Sequence, residues 1–185
     1  VTIDLRPVEQ LKSLRKLKPD LKHVGVLHSD RSIHTAEAIK AAGVELKLTV
    51  SLVESSKDDF ARAIDTLTSK NCDAALMIAD AQIYNPVTVK RLLVWGIRQK
   101  KMVWAFSDNF VKAGALGCLY AETESLGRQT ATLALRMLDG AKPTGNGVEY
   151  PNPVKTAYNE RTAKMIELSP PSGALDGVLI LGREE

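Results

Sequence analysis

Short apolar runs alternate with segments of helical periodicity along most of this chain, and that alternation restricts the possible folds more than any other feature. The apolar runs cover residues 23–27, 45–53, 73–79, 102–106 and 116–120. Between them, apolar residues recur every three or four positions, which is typical of amphipathic helices. Strands that alternate with helices form parallel sheets with right-handed crossovers, so helices cover both faces. We therefore predict an α/β fold with a parallel, flavodoxin-like sheet in the strand order 2-1-3-4-5.

Capping and turn-forming residues set the expected helix boundaries. The predicted helices cover residues 8–17, 32–42, 60–70, 85–100 and 124–138. Ser32 is expected to cap the second helix and Gly43 to end it. Asn85, which is followed by proline, is a strong start for the fourth helix. Pro143 is expected to close the fifth helix, within a surface loop at residues 141–152 that is rich in Pro, Gly and Asn.

The composition is that of a globular protein without a polyanionic partner. The 185 residues are 44% hydrophobic and 25% charged, which excludes a disordered chain. The 25 Lys and Arg residues nearly balance the 22 Asp and Glu residues. The densest basic cluster lies between residues 12 and 22 and is expected to be a solvated helix face. We therefore predict no nucleic-acid partner.

No segment of the sequence predicts insertion into a membrane. No apolar run reaches the ~18 residues that a bilayer-spanning helix needs. Residues 1–22 are charged throughout, unlike a secretory signal peptide. Because the first residue is Val1, the chain is consistent with processing or truncation, and the lack of a signal peptide does not define its compartment.

The sequence lacks the motifs of the common cofactor-binding and nucleophilic enzymes. No glycine-rich dinucleotide fingerprint follows the first strand, and no P-loop or nucleophile elbow is present. His28 and His34 lie six residues apart, which is not the i, i+4 spacing of a helical metal-ligand pair. Cys72 and Cys118 belong to no C-x-x-C motif and are expected to be separate, buried free thiols. We predict no cofactor, no metal site and no catalytic residue.

Polar residues follow three of the predicted strands at their carboxyl ends, where open parallel sheets bind ligands. They can offer hydroxyl and carboxylate groups, and the helix starts at Ser32 and Asn85 can offer backbone N–H groups to a carboxylate. The candidate ligand-binding residues are Ser29, Arg31, Ser32, Asp80, Asn85, Ser107 and Asp108.

A second interpretation of these residues is local, because Asp, Asn and Ser also cap helices and form turns. For Asp80 and Asp108 both interpretations stay open, and for Ser29 and Arg31 the local role is favoured. Two carboxylates beside one crevice also permit acid–base catalysis. The same pair binds ammonium or hydroxyl groups equally well, and no obvious nucleophile accompanies it.

Six segments of the chain, in the right order, resemble solute-binding proteins of bacterial ABC importers. The similar family includes proteins that bind aromatic or branched amino acids, among them the tryptophan-type binders. Two of the motifs are V-G-V-L at residues 24–27 and V-K-A-G-A-L at residues 111–116. The six segments are residues 18–27, 72–80, 106–116, 124–130, 138–143 and 158–164.

The resemblance implies a type I periplasmic-binding-protein fold, in which two α/β lobes joined by crossing strands hold a solute between them. The matching segments cover the second lobe. On this basis we predict an α/β lobe at residues 1–153, with an N-terminal crossing segment at residues 1–6. A C-terminal crossing strand, helix and tail are predicted at residues 154–185.

The resemblance further implies a periplasmic or extracytoplasmic solute-binding protein rather than an enzyme. We expect a small polar solute such as an amino acid, whose amine or amide group Asp80 or Asp108 could bind, and an ABC permease as the membrane partner. His28 and Ser29 after the first strand, and Ala81 after Asp80, differ from the residues that are common in the family. The identity of the solute therefore does not follow.

Two other functions stay open. A lone lobe could be an interaction module that forms a homodimer through apolar residues near its ends, namely Val1, Ile3, Leu5 and residues 178–181. Alternatively, a small α/β enzyme could use Asp80 and Asp108 as an acid–base pair.

Overall fold

A seven-stranded sheet runs through the protein, with helices on both faces. The computed structural model describes residues 1–142 and 147–182. The strands are β1 (His23–His28), β2 (Thr49–Glu54), β3 (Ala74–Leu76), β4 (Met102–Ala105), β5 (Gly117–Tyr120), β6 (Lys155–Asn159) and β7 (Leu179–Leu181). The helices are α1 (Pro7–Leu17), α2 (Ile33–Glu45), α3 (Phe60–Ser69), α4 (Pro86–Gln99), α5 (Asp108–Lys112), α6 (Thr123–Leu138) and α7 (Glu160–Met165).

The strand order is β2-β1-β3-β4-β5-β6-β7. Neighbouring strands among the first five are parallel, so the predicted α/β class and the order 2-1-3-4-5 are confirmed. β6 pairs antiparallel with β5, with Cys118 opposite Ala157, and β7 pairs parallel with β6. The sequence predicted one C-terminal crossing strand, beginning at residue 154, and only an apolar stretch at residues 178–181. Both strands extend the same sheet, beyond β5.

Alternating strand side chains fill two largely aliphatic cores, one on each face of the sheet. Val24 and Val26 lie in the core with residues of α1 and α2, whereas Leu27 lies in the core with residues of α3 and α4. This division follows the two-residue period of a strand. Trp104 is fully buried in the first core and Phe60 in the second. Each large apolar side chain buried in this way contributes roughly 1.5–3 kcal/mol before entropy is counted.

The expected end of α2 was wrong, whereas its expected start at Ser32 is confirmed. Gly43 does not end the helix, which continues to Glu45. A Cβ atom at Gly43 would lie 2.4 Å from Cγ2 of Val50, so the glycine permits close packing of α2 on β2. The chain turns at Lys47, which has a φ of 54°. Ser32 occupies the N-cap position but makes no capping hydrogen bond with its side chain.

The segment after β4 also differs from expectation, because it folds at once into the short helix α5.

Two predicted strands are shorter than expected. β2 begins at Thr49 rather than at residue 45, and β3 ends at Leu76 rather than at residue 79. The three residues after β3 are still buried or line a cavity, so their apolar character reflects burial and not strand pairing.

α6 ends at Leu138, as the sequence predicted. Gly140 follows with a φ of 88°, a left-handed conformation that suits glycine. Pro143, part of the predicted loop at 141–152 and the last residues of the predicted tail lie outside the described residues. α6 has 16 residues, and no helix in the described ranges is both long and apolar enough to cross a bilayer.

Asn85 caps α4 as the sequence predicted. Its Oδ1 accepts hydrogen bonds from the backbone N–H groups of Val87 (2.8 Å) and Thr88 (3.0 Å). In return, the Thr88 hydroxyl oxygen accepts one from the Asn85 backbone N–H at 2.9 Å. This reciprocal capping box satisfies N–H groups that have no partner within the helix.

Replacing this cap tests how strongly it fixes the start of α4. Asn85→Ala is expected to lower the free energy of unfolding by about 1 kcal/mol, because two helix N–H groups lose their acceptor. Asn85→Asp keeps the acceptor and is the matched control. Chemical denaturation measures both variants. An Asn85→Ala midpoint equal to that of the wild type, at an equal m-value, would contradict the stabilising role.

Cys72 and Cys118 are free and buried, as predicted. Burial raises the pKa of Cys72 to about 11 and that of Cys118 to about 12. We therefore expect almost no thiolate at neutral pH, and no rise in labelling by a disulfide reagent between pH 7 and about 9, where an ordinary thiol ionises. Both thiols should react after unfolding in denaturant. Rapid labelling of the native protein would contradict the burial of that cysteine.

Candidate functional site

A cavity of about 330 Å³ lies at the carboxyl ends of β3, β4 and β5. Right-handed parallel crossovers bring these strand ends to one edge of the sheet, which is where the sequence placed a binding site. The start of the chain and the first turns of α6 complete the walls. The cavity is lined by residues 3–5, 77–79, 106–109, 120, 121, 123 and 126, together with Gln10 and Thr35.

Ser107 and Asp108 are the two predicted site residues that line this cavity. Ser107 occupies the N-cap position of α5, but its side chain makes no capping hydrogen bond, so the hydroxyl is available to a ligand. Oδ2 of Asp108 accepts a hydrogen bond from Lys112 Nζ at 2.7 Å, one turn further along α5. This ion pair raises the pKa of Lys112.

Ser29, Ser32 and Asp80 form a separate buried cluster beside the cavity. Oδ2 of Asp80 accepts hydrogen bonds from the Ser29 hydroxyl at 2.6 Å, the Ser29 backbone N–H at 3.2 Å and the Ser32 hydroxyl. Oδ1 accepts from the backbone N–H of Gln82 at 2.8 Å. Asp80 therefore ties the end of β1 and the start of α2 to the segment after β3, and most of its accepting capacity is used within the protein.

The environment of Asp80 keeps its carboxylate charged. Burial on its own would raise the pKa of Asp80, but the hydrogen bonds from Ser29 and Ser32, with those of two backbone N–H groups, lower it below the ordinary value of 3.8. A general acid at neutral pH needs a raised pKa instead. This arrangement favours a structural role for Asp80 over a proton-transfer role with Asp108.

Arg31 and Asn85 do not line the cavity. Arg31 is exposed, and its backbone N–H donates to the Ser29 hydroxyl oxygen at 3.3 Å. The Asn85 side chain caps α4, so the local interpretation describes it well. In residues 1–142 and 147–182, no group of three or more His, Cys, Asp or Glu side chains is placed to hold a metal ion.

Several polar residues of the cavity were not among the candidates from the sequence, chiefly Asp4, Asn109 and Tyr120. Tyr120 is the last residue of β5, so the rule that selected the ends of β1, β3 and β4 would also have selected it. Burial raises the pKa of Tyr120. Asp4 comes from a segment without regular structure before α1, and no sequence signal marked it.

The fold and the cavity fit the class that the sequence suggested. A mostly parallel α/β sheet with a polar cavity at its carboxyl edge is common to doubly wound ligand-binding folds, and a lobe of the type I periplasmic-binding-protein fold is one of them. The chain belongs to the family of ABC transporter substrate binding proteins, whose family model matches residues 1–171. This confirms the resemblance found in the sequence.

Solved structures share this fold. An ABC domain from Streptococcus pneumonia in complex with L-Trp is 23% identical, with a TM-score of 0.75, and the match covers 96% of this chain and 62% of that chain. A conserved domain protein from Vibrio cholerae is 20% identical, with a TM-score of 0.75, over 96% of this chain and 60% of that one. A ligand-free, open substrate binding protein with adhesive properties from Clostridium difficile is 20% identical, with a TM-score of 0.72, over 95% and 59%.

This chain thus spans about three fifths of the length of the solved structures that it matches. No match was found among curated proteins. At these identities the structural similarity defines the fold, and the ligands of those proteins describe those proteins alone.

Substitution of Asp80 tests its structural role. Asp80→Asn is expected to lower the free energy of unfolding at pH 7 by about 2 kcal/mol, because a hydrogen-bonded carboxylate is lost from a buried cluster. Since the pKa of Asp80 is lowered in the folded state, its contribution is present above pH about 4 and disappears as the pH falls through the folded-state pKa. The difference between wild type and variant should therefore shrink in acid.

Asp65→Asn, at an exposed position on α3, is the control for this experiment. Denaturation from pH 2 to 7 measures all three proteins. An Asp80→Asn variant as stable as Asp65→Asn at neutral pH would show that the cluster does not hold the loop.

Proposed function

We propose that this chain is the solute-binding lobe of an extracytoplasmic component of an ABC importer, and that its solute is a small polar molecule such as an amino acid. The observation that supports this most directly is the cavity at the carboxyl edge, with Ser107 and Asp108 in its wall. Asp108 is suited to the amino group of a solute, because a carboxylate accepts strong hydrogen bonds from ammonium. Lys112 is its counter-ion in the absence of a solute.

The remaining wall suits the rest of an amino acid. Ser107, Thr123 and Tyr120 can donate hydroxyl hydrogen bonds to a carboxylate, and the Phe106 ring adds an apolar surface. The Streptococcus pneumonia ABC domain, which has a similar fold and was solved in complex with L-Trp, is consistent with this chemistry. A small number of polar groups in a partly apolar wall is the usual make-up of a small-molecule site.

A single lobe supplies one wall of such a site. In clamshell proteins, closure of a second wall excludes water and strengthens each polar contact. The matched solved structures are longer than this chain, in line with a second wall outside the region compared. We therefore expect this lobe to bind its solute weakly, in the millimolar range. An ABC permease is the proposed membrane partner of the assembled protein.

An NMR titration with a panel of amino acids, including L-tryptophan, tests the proposal. A solute in the cavity should shift the backbone signals of Ser107, Asp108 and Tyr120. Asp108→Asn should weaken the binding roughly 10- to 100-fold, because a charge-assisted hydrogen bond is lost. Asp65→Asn, remote on α3, should leave it unchanged. Shifts that persist equally in Asp108→Asn, or no shifts with any amino acid, would contradict the proposed site.

A second candidate function is self-association, and the exposed apolar surface beside the cavity favours it. We define the platform as residues 1–5, α6 and residues 147–150. Hydrogen bonds join its parts, from the Thr2 backbone N–H to the Glu149 carbonyl at 2.9 Å and from Arg136 to the Glu149 carboxylate at 2.7 Å. Of the ten exposed large apolar side chains in the described ranges, the platform includes Val1, Ile3, Leu135, Met137, Leu138 and Val148.

The platform differs from the dimer surface that the sequence predicted. Leu5 is buried in the core, and β7 joins the sheet with Val178 and Ile180 partly buried. Val178, Ile180 and Leu181 therefore find partners within the lobe, whereas Leu179 is 45% exposed. α6, in contrast, has no buried residue, so its apolar residues are the stronger reason to expect association.

Sedimentation at micromolar to millimolar concentration tests for this homodimer. Leu138→Glu should shift the equilibrium toward monomer by at least about tenfold, because the side chain is 83% exposed on the platform. Val44→Glu is the matched control, since Val44 is 74% exposed on α2. Wild-type protein that stays monomeric throughout, or equal effects of both substitutions, would exclude a dimer through the platform.

A further inference from the structure

A second cavity, of about 640 Å³, lies between α4 and α5. Its wall is mostly apolar and is formed by α4, α5, the two residues before α4 and the two residues after α5. The main contributors are Pro86, Val89, Leu93, Val94, Ile97 and Phe110. We call this cavity the α4–α5 groove. Its volume is within the range of small-molecule sites, and neither Ser107 nor Asp108 lines it.

The charge in the wall of the groove is of one sign. Lys90 is the single charged residue of the lining, and no carboxylate accompanies it. Lys90 is exposed, and no ion pair joins its ammonium to any carboxylate in the described ranges. A lysine can place its aliphatic stem along apolar surface while its ammonium reaches water. The groove thus presents an apolar trough with one unneutralised positive charge.

We propose that the α4–α5 groove is a second ligand site, for an amphipathic organic carboxylate: an apolar chain or ring with one anionic head. The apolar part lies on Leu93, Val94 and Phe110, and the carboxylate lies beside Lys90. Charge complementarity selects an anion over a cation, since a second positive charge would face Lys90 without a counter-charge. The proposal does not depend on the solute in the first cavity.

The polar side chains of the groove support the same ligand orientation. Asn85 Oδ1 is already occupied by the two N–H groups of the α4 cap, so it offers little to a ligand donor. Asn109, at the α5 end, lines both this groove and the first cavity. Within the groove, the positive charge is therefore on α4 and the amide is on α5. A negatively charged head group that accepts hydrogen bonds therefore fits beside Lys90, on the α4 side of the groove.

Octanoate is the probe, and octanol is its uncharged match of equal chain length. NMR titration of the protein with each compound should shift the backbone signals of Lys90, Val94 and Phe110. Octanoate should bind roughly two- to fivefold more tightly than octanol, as expected for one solvent-exposed ion pair. Lys90→Gln should abolish that difference and leave octanol binding unchanged. Lys40→Gln, an exposed lysine on α2, should have no effect.

A blocking variant tests the location independently of charge. Ala113 is exposed at the α5 side of the groove, so Ala113→Trp should fill the trough and weaken both probes at least about tenfold. Ala41→Trp, exposed on α2, is the matched control. If Ala113→Trp does not fold, Val94→Asp serves instead, because it places a carboxylate in the trough and should weaken octanoate more than octanol.

Three results would overturn the proposal. The first is equal binding of octanoate and octanol by the wild-type protein. The second is an octanoate preference that survives in Lys90→Gln. The third is a set of shifts on the platform at Leu135 and Leu138 in place of the groove, which would make the exposed face of α6 the site of apolar binding.

Discussion

The buried carboxylate of Asp80 organises the edge of the sheet on which the candidate site depends. It accepts hydrogen bonds from Ser29 and Ser32, which follow β1, and from the Gln82 backbone after β3. These strands are adjacent and parallel, so one carboxylate joins the two loops that follow them. A charge without these donors would be costly to bury, and with them it becomes a rigid anchor.

Rigidity at this edge matters because the neighbouring cavity is assembled from distant parts of the chain. Asp4 precedes α1, Asp108 begins α5 and Tyr120 ends β5. The positions of Asp108 and Tyr120 relative to each other depend on the register of β4 and β5, and the apolar cores pack on both faces of these strands. Weak intrinsic binding by a well-ordered wall is compatible with tight binding by a closed protein, because an ordered wall loses little entropy when a second wall covers it.

The exposed apolar side chains are distributed unevenly among the helices. α6 has no buried residue, although α1 to α4 each bury at least three. The N-terminal segment that bonds to residue 149 brings Val1 and Ile3 to the same surface. Large contiguous patches of exposed apolar side chains mark contacts with other molecules, and the platform is the candidate for such a contact. Ile3 and Leu126 belong both to the platform and to the wall of the cavity, so the two surfaces are continuous.

Much of the fold could be predicted from the sequence because local patterns were enough. The alternation of strands and helices gave the parallel order of β1 to β5, and Asn85 with the following proline gave the start of α4. Where a residue has a single local use, as Asn85 does, its role follows from its neighbours. The roles of Gly43 and Ser32 were predicted less well, because each depends on a residue of another segment. Gly43 permits close packing against Val50 of β2, and the Ser32 hydroxyl donates to Asp80 instead of capping α2.

The sequence by itself determined the class of fold, the edge of the sheet at which a candidate site would lie and the strand end, after β4, that supplies Ser107 and Asp108. Only the tertiary structure decided that Asp80 is committed to Ser29 and Ser32, that Asp4 and Tyr120 join the cavity, and that β6 enters antiparallel to β5. The reason is physical. Periodicity and capping act over a few residues, whereas hydrogen-bond partners and cavity walls are set by contacts between segments that lie far apart in the chain.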